Sequence, residues 1–230
     1  LHKIPLKSPD YTCLSKRLSK LQIKSPRYKK TDSAARTIVA IAIDSTGLKR
    51  FGKDEWHQEK HKISGKRSWR KLHIAVDDEH YIQATKLTKR WASDDKVAET
   101  LSSEIHHDIN HFSADGAYDK INIYKMLNEK YPDACIAIPP RIDAVCRHQN
   151  HPIRNDNCLK IKKFGRMAWQ EKMEYGRRNL SELCIKRYKH ILGNKLYSRE
   201  MSRQVNEAMI GCGILNKMTS LGMPKSHRRV

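Results

Sequence analysis

From Arg36 to Thr46 the chain reads RTIVAIAIDST, an apolar run rich in β-branched residues that ends at an aspartate. Bounded by polar residues and short for a helix, it predicts a buried β-strand. The chain then turns polar and basic from Gly47 to Trp69, after which KLHIAVDD (Lys71 to Asp78) alternates apolar and polar residues as a second strand. A third, YIQATKLTK, follows almost at once. The short DDEH link suits an antiparallel hairpin, because parallel neighbours need a crossover of about a dozen residues or more.

Beyond the hairpin the period changes. Ser93 or Asp94 can cap a helix whose apolar positions Val97, Leu101 and Ile105 recur at helical spacing, ending near His106. HFSADGAYD (His111 to Asp119) predicts a short strand running into a turn, with Asp119 placed to cap a helix that holds Ile123, Met126 and Leu127. ACIAIPP (Ala134 to Pro140) predicts another strand, stopped by its two prolines. Arg141 to Asn157 reads as a polar loop, and Cys158 to Leu192 as a helical stretch broken near Gly165 or Gly176. Together these elements imply an α/β fold, a mixed sheet with flanking helices. No apolar run is long enough to span a membrane.

Charge narrows the partner. Lys and Arg total 46 against 25 Asp and Glu, a formal charge of +21. The basic residues are spread along the chain, so they belong to the folded surface and call for a polyanion, although a basic protein without a nucleic-acid role remains open. Six scattered cysteines without a Cys-x-x-Cys pair fit reduced thiols in a cytoplasm. Cys146, His148, His151 and Cys158 are the nearest thing to a zinc cluster, but their spacing matches none of the usual structural sites. The chain opens on Leu1, so an amino-terminally truncated fragment is expected.

Two aspartates stand where predicted strands end, Asp44 after the first and Asp115 after the fourth, so neighbouring strands would bring them to one sheet edge. Each alone reads equally well as a turn residue, before Ser45 and Thr46 or before Gly116. Tyr175, Arg178, Glu182 and Lys189 follow at helical offsets that place them within an arc of about 60°, on one face of a helix. A solvated face with an Arg178 to Glu182 ion pair is the alternative.

YGRRNLSELCIKRYK (Tyr175 to Lys189) resembles the Tyr-x2-Arg-x3-Glu-x6-Lys signature of insertion-sequence transposases with a DDE triad. AIDSTGLKRFG around Asp44, RKLHIAVD, SADGAYD around Asp115, GRMAWQ and ILNKMTSLGMP are similar to the insertion sequence 5 group, so the resemblance runs from about Pro9 to Arg229. It implies a ribonuclease H-like catalytic domain over 36–200, a partial amino-terminal segment over 1–35 and a carboxy-terminal helical tail over 201–230. It further implies metal-dependent cleavage and strand transfer of DNA, with Asp44, Asp115 and Glu182 holding two Mg²⁺ or Mn²⁺ ions. Tyr175, Arg178 and Lys189 would meet the DNA, Arg178 either holding phosphate or orienting Glu182. Lys66, Arg67, Arg70 and Lys71, in KRSWRK, and the segment KRYKH would add backbone contacts.

Trp56, Trp69, Trp91 and Trp169 suit packing better than base stacking. The implied partners are element ends and target DNA, with a homo-oligomer acting in the cytoplasm at the nucleoid and no membrane. A ribonuclease H-like nuclease that only hydrolyses, and a truncated remnant that binds DNA without catalysis, are the competing readings.

Overall fold

The computed structural model describes residues 9–26, 40–50, 69–147 and 151–222. A mixed sheet runs through it in the order β3-β2-β1-β4-β5, where β1 is Ala40–Arg50, β2 Trp69–Asp77, β3 Ile82–Lys89, β4 His111–Ser113 and β5 Cys135–Ala137. The first three strands are antiparallel neighbours, as the short hairpin link predicts, and β4 and β5 join in parallel. A two-residue strand, β6 (Lys195–Leu196), pairs in parallel with the far end of β1. This is the ribonuclease H-like arrangement expected from the sequence.

Asp77 shapes the hairpin chemically. Its Oδ1 accepts the amides of Glu79 and Tyr81, both at 2.9 Å, and Oδ2 accepts from Gln83 at 2.7 Å, the side-chain-to-backbone bonding that makes aspartate a turn residue.

Because strand side chains alternate between faces, the central strands feed two cores. Ile41, Ile43, Ala75 and Ala84 pack with Val97 and Leu101 of helix α2 (Asp94–Glu104) and with Ile123 and Leu127 of α3 (Ile121–Lys130). Leu48, Leu72, Ile74 and Val76 face the other way, onto Cys184 and Tyr188 of α6 (Asn179–Ile191) and Met209, Cys212 and Leu215 of α7 (Met201–Ser220). Helix α7 is therefore part of a core. Ala40 to Ile43 are all wholly buried, as a central strand covered on both faces requires.

The amino-terminal helix α1 (Tyr11–Lys20) buries none of its residues and is tied to α7 by polar contacts: Asn206 donates to the carbonyls of Leu18 and Leu21 at 2.8 and 2.7 Å, and Arg203 to Ser15 at 2.9 Å. Ser25 accepts the amide of Thr85 at 2.7 Å, and Asn216 bonds both backbone groups of Ile82 at 2.8 Å, so side chains occupy open positions on the outer edge of β3.

Several boundaries differ from the sequence expectation. β1 continues to Arg50, where the polar stretch after Thr46 suggested its end: Gly47 to Lys49 pair with Trp69 to Lys71 on one side, and Lys49 and Arg50 with β6 on the other. Ladder bonding on both edges, together with the burial of Leu48, keeps these residues extended. The loop predicted to Asn157 stops earlier, since α4 spans Pro152–Phe164 with proline in its first turn and His151 as its cap, Nδ1 accepting the amide of Ile153 at 3.4 Å. Asp119 does not cap α3, whose N-cap is Lys120; it is held by Arg154 instead. Gly165, at φ 84°, separates α4 from α5 (Arg166–Lys172), as expected. The next interruption is not at Gly176 itself but at Glu174, in the left-handed region at φ 48°, followed by a 3-10 turn over Tyr175–Arg178.

Candidate active site

β1 has β2 along one edge. Along the other, β4 pairs with Ala40 to Ala42 and β6 with Lys49 and Arg50, so among the described residues positions 43–48 face no strand there. The 3-10 turn Tyr175–Arg178 contacts β1 and β4, and α6 contacts β1, close to this unpaired stretch. Asp44 lies inside it. The sequence reading put Asp44 at a strand end; it is mid-strand, two residues beyond the last β4 pair, Ala42 with Ser113. Asp115 lies the same two residues beyond Ser113, and this shared offset brings the aspartates level.

Both carboxylates are anchored by backbone next to them. Asp44 Oδ1 accepts the amide of Ser45 at 2.7 Å. Asp115 Oδ1 accepts the amide of Ala117 at 2.9 Å, capping the 3-10 turn Gly116–Tyr118. The reading as a turn residue is thus met in part at Asp115, where the cap uses one oxygen only, and not at Asp44, which lies mid-strand.

Glu182, in the first turn of α6, completes an acidic group around one cation. The Arg178 guanidinium is 2.5 Å from Glu182 Oε1 through Nη1 and 3.7 Å from Asp44 Oδ2 through Nη2. Burial is the main reason Asp44 holds its proton more tightly than an ordinary aspartate; the Ser45 amide and Arg178 oppose this, while Asp115 and Glu182 add to it by repulsion. Burial works against the Arg178 charge, yet Tyr175, Glu182, Asp44 and Asp115 together raise its pKa. Three carboxylates, from a strand, from the turn after a second strand and from a helix, therefore share one electrostatic neighbourhood.

The Tyr175 to Lys189 stretch is not one continuous helix. Tyr175 and Arg178 belong to the 3-10 turn, and α6 begins at Asn179. Contacts survive the change of geometry: Arg178 Cζ lies 6.0 Å from the Tyr175 ring centroid, and Tyr175 packs at 5.5 Å on Trp169, which is 1% exposed. Trp169 is a packing residue, as expected. Lys189 stands seven residues beyond Glu182 on the same helix, about 10 Å further along its axis.

Other residues named from the sequence are scattered. Lys66, Arg67, His148 and Trp56 lie outside the described residues. Arg70 donates to Gln204 at 2.8 Å and Lys71 to Asp94 at 2.5 Å, so both have partners within the fold. Trp91 is 70% exposed, with the Arg90 guanidinium 4.7 Å from its ring. His151 is engaged as a helix cap and stacks on Tyr124 at 6.0 Å, and Cys158 is buried.

Three supports were not anticipated. Arg154 Nε and Nη2 grip Asp119 Oδ1 and Oδ2 at 2.8 and 2.9 Å, tying the segment after Asp115 to α4. His111 bonds through Nε2 to the Met173 carbonyl at 2.8 Å, tying β4 to the entry of the 3-10 turn that carries Arg178. Tyr118, 1% exposed, lies under the site, its pKa raised by burial and then by the fields of Asp94, Asp44 and Asp115. Only Asp119 carried a local signal, and that signal suggested a cap.

A family model described as a transposase DDE domain matches residues 35–217. The chain belongs to the DDE transposases. A second model of the same description matches residues 1–53. DDE transposases act on DNA and generally use divalent metal ions. Among the described residues no three His, Cys, Asp or Glu side chains stand close enough together to form a ready metal cage. The donor chemistry nevertheless fits: the acids are hard oxygen ligands, Asp44 and Asp115 each have one oxygen anchored, and their mutual repulsion is relieved by positive charge. No described helix of this DDE transposase is long and apolar enough to cross a membrane.

Proposed function

We propose that this chain is a transposase of the insertion sequence 5 group that cleaves DNA and joins the freed 3' ends to a target, with Asp44, Asp115 and Glu182 as its catalytic acids. The observation that carries this reading is the gathering of those acids around Arg178 in the gap of the β1 edge.

Asp44, Asp115 and Glu182 would hold two Mg²⁺ or Mn²⁺ ions. Bound there, the ions would stabilise the attacking and departing oxygens of an in-line displacement. The chain's own residues do the rest. The Ser45 and Ala117 amides aim the aspartates, and Arg178 orients Glu182 while offering a guanidinium to a phosphate oxygen. Tyr175, backed by Trp169, holds Arg178 from behind. Lys189 extends the cationic track along α6, and Lys66, Arg67, Arg70 and Lys71 contribute to binding the DNA backbone. The active form is a homo-oligomer acting on nucleoid DNA in the cytoplasm.

Pre-cleaved element ends and a target duplex, incubated with the full chain and Mg²⁺ or Mn²⁺, test this directly. Joined product is expected. Hydrolysis without joining would assign the chain to the nucleases, and salt-sensitive binding without cleavage would leave it a DNA-binding remnant.

A further inference from the structure

Joining brings two DNA segments to one protein, and the carboxylates serve one region of it. Strand alternation divides the remaining basic residues between the two faces of the sheet. On β2, Lys71 and His73 reach Asp94 at the start of α2, at 2.5 and 3.3 Å, and on β3 Lys86 donates to Thr100 of α2 at 3.2 Å. Arg70, of the opposite parity, reaches Gln204 of α7. Odd positions of β2 therefore face α2. On β1 the odd positions do the same, since Ile41 and Ile43 enter the α2 core and Leu48 enters the α7 core. Asp44 shares the parity of Leu48 and faces α6.

The register aligns a row on the α2 face. Lys195 pairs with Lys49, and Lys49 with Trp69. Lys89 pairs with Arg70 at the end of β3, and Arg90 follows at once, in the turn closed by the Ala92 amide on the Lys89 carbonyl, at the same end of the sheet as Trp69. At the usual strand spacing the row Lys195, Lys49, Trp69 spans about 10 Å, with Arg90 at its Trp69 end.

Its floor is flat. A Cβ on Gly47 would lie 3.2 Å from Trp69 Cε3, so the indole rests over this glycine, and both Gly47 and Lys49 are exposed. Helix α2 begins at Asp94 against Lys71 and His73, one row further in. Those two side chains account for the nearest carboxylate. Lys49 has no acidic partner among the described residues, and the Arg90 guanidinium is propped on the exposed Trp91 ring.

We propose that this row binds the phosphate backbone of a second DNA segment, on the sheet face opposite Asp44. Naming the ligand rests on the DNA-joining function proposed above. A duplex presents about one negative charge per 1.7 Å of its axis, so Lys49 and Arg90, at either side of the Trp69 ring, can each meet a phosphate and release counterions. A second copy of the chain fits worse, because a two-fold contact through this row would set lysine and arginine against themselves.

The test is the full-length K49Q/R90Q variant with a short fluorescein-labelled duplex of arbitrary sequence, titrated without divalent ion at several salt concentrations. The affinity is expected to fall about tenfold and the log-log salt slope to lose roughly two units. Unchanged affinity and slope would overturn the proposal. So would a shift in sedimenting mass for K49Q/R90Q with DNA binding intact. Failure of wild type to cleave or join DNA with Mg²⁺ would strike the catalytic reading alone, since the binding titration uses no metal.

Discussion

Arg178 and Asp44 face each other across 3.7 Å although they lie far apart in the chain, because the 3-10 turn carrying Arg178 packs against β1 and β4 beside the unpaired stretch of β1. That guanidinium lowers the pKa of Asp44, opposing burial and the two neighbouring acids. In Arg178→Met the opposition is gone, so Asp44 is expected to titrate at higher pH than in wild type. Carboxyl carbon shifts followed by NMR through the acid range would show it. An unmoved titration would mean that Arg178 does not govern the charge of the site.

Asp115→Asn separates charge from architecture. The asparagine carbonyl can still accept the Ala117 amide and keep the cap, so the fold and DNA affinity should persist. Cleavage is expected to fall by more than the roughly 10–100-fold typical of losing a group that only supports a metal ligand. Gel assays of cleavage beside DNA titrations would check it, and full activity would exclude Asp115 from the catalytic set.

Asp119 is 1% exposed at its side chain and depends on Arg154, itself 13% exposed. Arg154→Ala leaves a buried carboxylate without its fork and should cost about 3 kcal/mol, read from urea unfolding. The Asp119→Leu/Arg154→Leu pair should recover much of that loss. Equal destabilisation by the pair and the single variant would argue that packing of the arginine stem matters more than its charge.

His111 introduces a pH dependence of stability. Burial, its largest influence, depresses its pKa, and the Met173 carbonyl only partly offsets this. On unfolding the group returns to about 6.5 and binds protons more readily than in the fold. Its contribution is therefore present above about pH 6.5 and is lost as pH falls through the depressed folded value. Melting temperatures between neutral and mildly acidic pH should drop more steeply in wild type than in His111→Gln. Parallel slopes would assign the acid sensitivity to other groups.

What the sequence revealed was local in origin. An apolar β-branched run announced β1, alternation and a short link announced the antiparallel β2 and β3, and Gly165 marked a helix break, because each depends on neighbours a few residues away. The motif around Tyr175, Arg178 and Glu182 was legible too, but for a reason other than the assumed one: a continuous helical face is replaced by a turn and a helix that still bring Arg178 to Glu182. Tertiary structure alone decided the rest. Gly47 to Arg50 stay in β1 because β2 and β6 pair with them and Leu48 is buried, and Asp44 comes near Asp115 because both lie two residues past one β1 to β4 register pair. Arg154 finds Asp119, and Lys49 lines up with Trp69 and Lys195, through contacts between distant segments. Side-chain pattern reports what a residue prefers; pairing and packing determine which residues it meets.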